Sequence, residues 1–189
     1  RNLGNGLHPV RRGWRRGLNR IRDRFWHWDP HSRRACFHHA LEKVAAYQPD
    51  YVVANGDYGG DHYGVGLSDD HTFESVEFVL SEIRDMFPGR FLFIFGDHEI
   101  GKYSTVHRQG GIRLRSLERG EEQLGIRSFW NLEHGRYHLL GVNSSLLTLD
   151  LFLPEALSEE LPEWNRRRAD HVRRIAEAFA TLPAEARVV

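Results

Sequence analysis

FLFIFGDHEIG, residues 91–101, is the stretch on which the fold turns. Five bulky apolar residues end abruptly in Gly96-Asp97-His98-Glu99. An apolar run of this length, bounded by turn residues, reads as a strand buried on both faces. The same pattern occurs once before it. YVVANGDYGG, residues 51–60, is a short β-branched, uncharged run that ends in Asn55-Gly56-Asp57. Two apolar strands therefore end the same way, in glycine followed by aspartate.

The segments around these strands set their relationship. Between Ser32 and Tyr47 the apolar residues Phe37, Ala40, Leu41 and Val44 recur at spacings of three and four, which is one face of a helix. Pro49-Asp50 ends it. Residues 57–71 are rich in Gly, Asp and His and read as a loop. A second helix is expected over 72–87, with Phe73, Val76, Leu80, Ile83 and Phe87 on one face and Pro88-Gly89 as its stop. The order helix, strand, loop, helix, strand predicts parallel strands joined by crossovers, hence an α/β layer. Residues 102–126 read as a polar, glycine-containing excursion. SFWNLEHGRYHLLGVNSS (128–145) reads as a hairpin turning at His134-Gly135. A helix over about 160–181 should bury Val172, Ile175, Ala176 and Phe179, and lead into a last strand near 186.

Composition bounds the class. The chain has 189 residues, 40% hydrophobic and 28% charged, which suits a soluble globular protein. No window reaches the apolar length of a membrane span, and no signal peptide is visible. The single Cys36 excludes an internal disulfide, fits a reducing compartment and points to the cytoplasm. Net charge is zero but uneven: residues 1–34 hold ten Arg against two Asp. This Arg/Trp-rich arm, 1–34, is set apart from an α/β core, 35–189. It either contacts phosphate or acidic lipid, or is a solvated loop whose Trp14, Trp26 and Trp28 pack on the domain. No nucleic-acid motif accompanies it, so no clear nucleic-acid or membrane partner is expected. Arg1 at one end and EARVV at the other read as cut ends, so a longer protein is expected.

In a parallel α/β sheet, ligands bind beyond the carboxyl ends of the strands. Adjacent parallel strands would set Asp57 beside Asp97, with His98 just above. Gly56 and Gly96 omit a side chain where the backbone turns and where a ligand must approach. Converging carboxylates repel unless a cation lies between them. Oxygen donors suit hard divalent ions, and an imidazole adds affinity for Mn, Fe or Zn. A metal site is the physically motivated reading. The alternative is a pair of ordinary strand-exit turns.

VVANGDY (52–58) followed by FIFGDHE (93–99) resembles the second and third signature blocks of the calcineurin-like binuclear metallophosphoesterase superfamily. GRYHLLGVNSS resembles the strand pair that follows them, and ARVV the approach to a later metal-binding histidine. The resemblance runs from about residue 35 to the end. It implies a layered αββα sandwich, here incomplete at both ends, and hydrolysis of a phosphate ester. It implies two divalent ions (Mn, Fe, Zn or Mg) bridged by a carboxylate and a hydroxide. By position, Asp57 would be the bridging carboxylate and Asp97 would stand where the family has a metal-binding Asn. His98 would act as proton donor or charge stabiliser beside the leaving group. Glu99 would support the loop. Asp97 in place of Asn adds negative charge that blunts attraction for phosphate.

The family's first block, Asp-any-His, has its letters in Asp29-Pro30-His31, but RIRDRFWH ahead of them is a poor buried strand. A loop residue before a helix explains Asp29 as well, and the block otherwise lies before Arg1. The later histidine blocks would fall beyond Val189. The alternative function is a non-catalytic binding or regulatory relative. Among other candidates, Asp61 and His62 read as loop or pocket residues. Asp69, Asp70 and His71 read as a helix cap, and His38 and His39 as packing or surface residues. Ser144-Ser145 is read as lacking the strand-turn-helix elbow of a serine hydrolase, and Cys36 as lacking a paired base.

Overall fold

The computed structural model describes residues 30–59, 64–102 and 110–189, with the side chains of 30–33 left aside. The chain divides into two compact units, residues 1–48 and 49–189. In the first, helix α1 spans Pro30–Ala46. It starts at a proline, whose missing N–H would be unpaired in a first turn anyway. The helix runs unbroken across position 34.

In the second unit β1 (Val52–Ala54) and β2 (Phe91–Phe93) pair in parallel, with Val52 opposite Phe91 and Ala54 opposite Phe93. Helix α2 (Asp70–Met86) makes the crossover between them. Asp69 caps it, its carboxylate accepting from the N–H groups of His71 and Thr72 at 3.1 Å. Its buried face is Thr72, Val76, Leu80 and Ile83, continued by Phe87. Phe73, expected on that face, instead lies under the Arg119 guanidinium at 4.0 Å.

After β2 a four-residue helical turn, α3 (Asp97–Ile100), leaves the sheet edge. The excursion expected after it contains a helix, α4 (Leu114–Gln123). Leu117 of α4 is fully buried, and the missing side chain of Gly120 makes room for the Phe95 ring. With Leu67, Ile100, Ile112, Leu124 and Ile126 these residues form one apolar core under the strand exits. Each side chain of that size stabilises by about 1.5–3 kcal/mol on full burial.

β3 (Phe129–His134) and β4 (Tyr137–Val142) form an antiparallel hairpin through Gly135-Arg136. Gly135 takes φ +60°, as a two-residue hairpin turn requires. β5 (Arg187–Val188) joins β4 in parallel. One bridge, Ile94 to Arg127, links this sheet to β1 and β2. The described chain is thus mixed α/β.

β4 passes through Asn143 into helix α5 (Ser144–Leu147) and then to the long helix α6 (Leu161–Ala180). The buried positions of α6 are Trp164, His171 and Ala178, seven residues apart. The face expected from apolar spacing is not the inward one: Val172 and Phe179 are about half exposed. A tryptophan and a histidine occupy the inward face. Among the described residues no helix is long and apolar enough to cross a membrane.

Candidate metal centre

The two strand exits meet. Gly56 (φ +87°) and Asp57 (φ +57°) both take left-handed backbone, which swings the Asp57 carboxylate across the end of β2. The two glycines are in close backbone contact: a Cβ on Gly56 would strike the Gly96 backbone, and one on Gly96 would strike the Asp57 carboxylate. Left-handed geometry costs a non-glycine residue about 1–2 kcal/mol, with aspartate among the most tolerant. Such strain persists only where the surroundings enforce it.

Glu99 enforces it. This carboxylate is fully buried. Its Oε2 accepts from Asp57 N at 2.8 Å and Gly96 N at 2.9 Å, and its Oε1 accepts from Tyr58 N at 2.9 Å. Burial pushes its carboxyl above the ordinary range, against the lowering effect of the three N–H donors. Tyr58 ties the strands themselves. Its hydroxyl lies 2.6 Å from Ile94 O and 2.7 Å from Ala54 O, either of which it donates to, and it accepts from Ile94 N at 3.0 Å. Burial holds the phenol well above its usual range, so it remains protonated.

On this scaffold Asp57, Asp97 and His98 each present one ligand atom, all within 4.8 Å of one another. Asp57 is exposed, and Asp97 and His98 are half-buried. The His98 N–H points at Asp57 Oδ1 at 3.4 Å. On the far side of His98, Lys102 Nζ stands 2.8 Å from Nε2 and 3.4 Å from Nδ1. Two carboxylate oxygens and an imidazole nitrogen suit Mn, Fe or Zn, each bound at about 2.0–2.2 Å. Atoms ligating one such ion lie within about twice that distance of each other. The trio's spread of up to 4.8 Å is slightly wider than that, so a small inward shift of these side chains would let them hold one divalent ion. Among the described residues it is the only such cluster, so donors for a second ion are not seen there.

The other candidates fall elsewhere. Asp29, Asp61 and His62 lie outside the described residues, as does the Arg/Trp-rich stretch 1–29. His38 and His39 are surface residues beside Glu42, and Cys36 is exposed on α1. Ser144-Ser145 does open a helical turn straight after a strand, contrary to expectation, because Asn143 caps that turn through Ser145 N at 3.1 Å. Among the described residues neither hydroxyl is bonded to an imidazole. Tyr58 and Lys102 were not singled out from sequence. Lys102 lies beyond the end of α3, so no helical spacing points to it.

No family model matches the chain, and no curated protein or solved structure matches it significantly.

Proposed function

We propose that the chain hydrolyses a phosphate ester at the Asp57–Asp97–His98 site, within a layered metallophosphoesterase-like sandwich. One observation carries the reading: two strand exits place two carboxylates and an imidazole within 4.8 Å on strained backbone that a buried carboxylate holds in place. Bound divalent ions would neutralise phosphoryl oxygens and lower the pKa of attacking water.

Asp57 would bridge two ions and Asp97 would ligate the second, with the remaining donors coming from outside the described residues. In this reading His98 stands beside the ions, not on them, and would hold a proton near the leaving oxygen. Glu99 and Tyr58 keep the carboxylates aimed without touching substrate. The substrate is an exposed phosphate ester that can reach Asp57. The single Cys36 agrees with a cytoplasmic setting.

The test is metal content together with turnover of p-nitrophenyl phosphate. Mn²⁺-dependent hydrolysis is expected, with Asp57→Asn abolishing it and leaving the fold intact. Tight metal without turnover would replace this reading with a metal-holding regulatory domain. No metal at any pH would remove both.

A further inference from the structure

We infer that Lys102 is a substrate-binding residue of this site, its ammonium taking a non-bridging oxygen of the phosphoryl group beside His98. The inference rests on the phosphoesterase reading and adds a residue to it.

Lys102 is placed by its backbone, not by chance of a long side chain. Its N–H donates to Gly64 O at 3.2 Å, and its carbonyl accepts from Gly111 N at 2.8 Å. Gly101 before it takes φ +104°, and a Cβ there would strike the Gly111 carbonyl. Two segments thus clamp the residue on either side. Its half-buried ammonium then ends 2.8 Å from His98 Nε2. An ammonium held there can take an anion that enters the site.

The charge balance of the site supplies the reason. Asp57 and Asp97 bring two negative charges to the trio, which offset part of the charge of any bound ions. Lys102 adds positive charge beside His98, within the same site. An ammonium–phosphoryl bond is a charge-assisted hydrogen bond, among the stronger polar contacts in proteins. The competing role is purely positional, with Lys102 only orienting the His98 ring.

The experiment titrates Mn²⁺ into metal-free protein, then inorganic phosphate into the Mn²⁺-loaded protein, for the parent, Lys102→Ala, Lys102→Gln and Lys102→Arg. The expected result is unchanged Mn²⁺ affinity throughout. Phosphate should bind at least about tenfold more weakly to the Ala and Gln variants. The Arg variant, which keeps the charge, should stay near the parent. Phosphate binding by Lys102→Ala equal to the parent's, with Mn²⁺ affinity retained, overturns the inference and leaves the metal site standing. Loss of Mn²⁺ affinity in Lys102→Gln as well as Lys102→Ala overturns it in favour of the positional role. A parent that binds no Mn²⁺ defeats the underlying reading itself, and Lys102 falls with it.

Discussion

The carboxylate of Glu99 grips the backbone of Asp57: Oε2 accepts the Asp57 N–H at 2.8 Å while Oε1 takes the next N–H, that of Tyr58, at 2.9 Å. A residue at the end of β2 thereby fixes the left-handed turn at the end of β1. Glu99→Gln tests this grip with almost no change in volume. The amide has one acceptor oxygen where the carboxylate has two, so an NH2 must face a backbone N–H. A buried donor left unmatched costs about 1–3 kcal/mol, and the variant should be destabilised within that range in urea unfolding. Mn²⁺ affinity should fall about 10–100-fold, the usual effect of losing a residue that orients metal ligands. Unchanged stability and affinity would mean that the turn holds itself.

Gly96→Ala probes the opposite side of the same contact. Its φ of −96° is open to any residue, so the test is purely steric. The new Cβ would lie 2.7 Å from Asp57 N and closer still to the Asp57 carboxylate. Asp57 must move away from Asp97 and His98. Overpacking of this kind costs about 1–3 kcal/mol, and metal binding should suffer more than stability does. Paired calorimetric titration and urea denaturation measure the two effects separately.

How far the sequence was legible follows from what kind of signal each element carries. Residues 52–54 and 91–93 were visible as strands because an apolar run has few other uses, and the Gly-Asp exits were visible as chemistry because both recur in register. Helix α4 was not. Gly120 lowers helix propensity and breaks the apolar spacing, yet it is there because the Phe95 ring leaves no space for a side chain. That reason exists only in three dimensions. The inward face of α6 was misjudged for a related cause. Trp164 and His171 are buried by their partners, whereas Val172 and Phe179 are apolar and remain exposed. The Asp57–Asp97–His98 trio needed only the parallel pairing of two strands to be anticipated. The grip of Glu99 on three N–H groups needed the loop path itself.

Tyr58→Phe separates the scaffold from the metal donors. The hydroxyl bridges Ala54 and Ile94 across the strand ends, but Ile94 N also reaches Ala54 O at 3.2 Å. Losing the hydroxyl therefore weakens the junction without dissolving it, by about 1 kcal/mol. The ring keeps its edge contact with Phe93, at 5.8 Å between centroids. Mn²⁺ affinity should change less than in Glu99→Gln, since Tyr58 acts on the strands and Glu99 on the ligand-bearing turn. The reverse order of the two variants in a metal titration would show that strand pairing, not the turn, sets the site.

His171 gives the fold a pH limit that is independent of the metal site. It is buried on α6, edge-on to Phe129 at 6.3 Å between centroids, and hydrogen-bonded to the Asn143 backbone. Burial lowers its pKa, the Asn143 bond partly opposes this, and the nearby Arg174 charge lowers it further. The folded pKa thus lies below the unfolded value of about 6.5. Between the two values the unfolded chain binds more protons than the folded one, so stability rises with pH there. The contribution is complete above about pH 6.5 and is lost progressively as pH falls from there through the folded value. His171→Gln removes the titrating group. Urea midpoints from pH 7.5 to 5 should decline less steeply in the variant than in the parent. A parent that is no more pH-sensitive than the variant would mean that α6 opens to admit the proton at little cost, and that His171 is less firmly enclosed than its position between α6 and β3 implies.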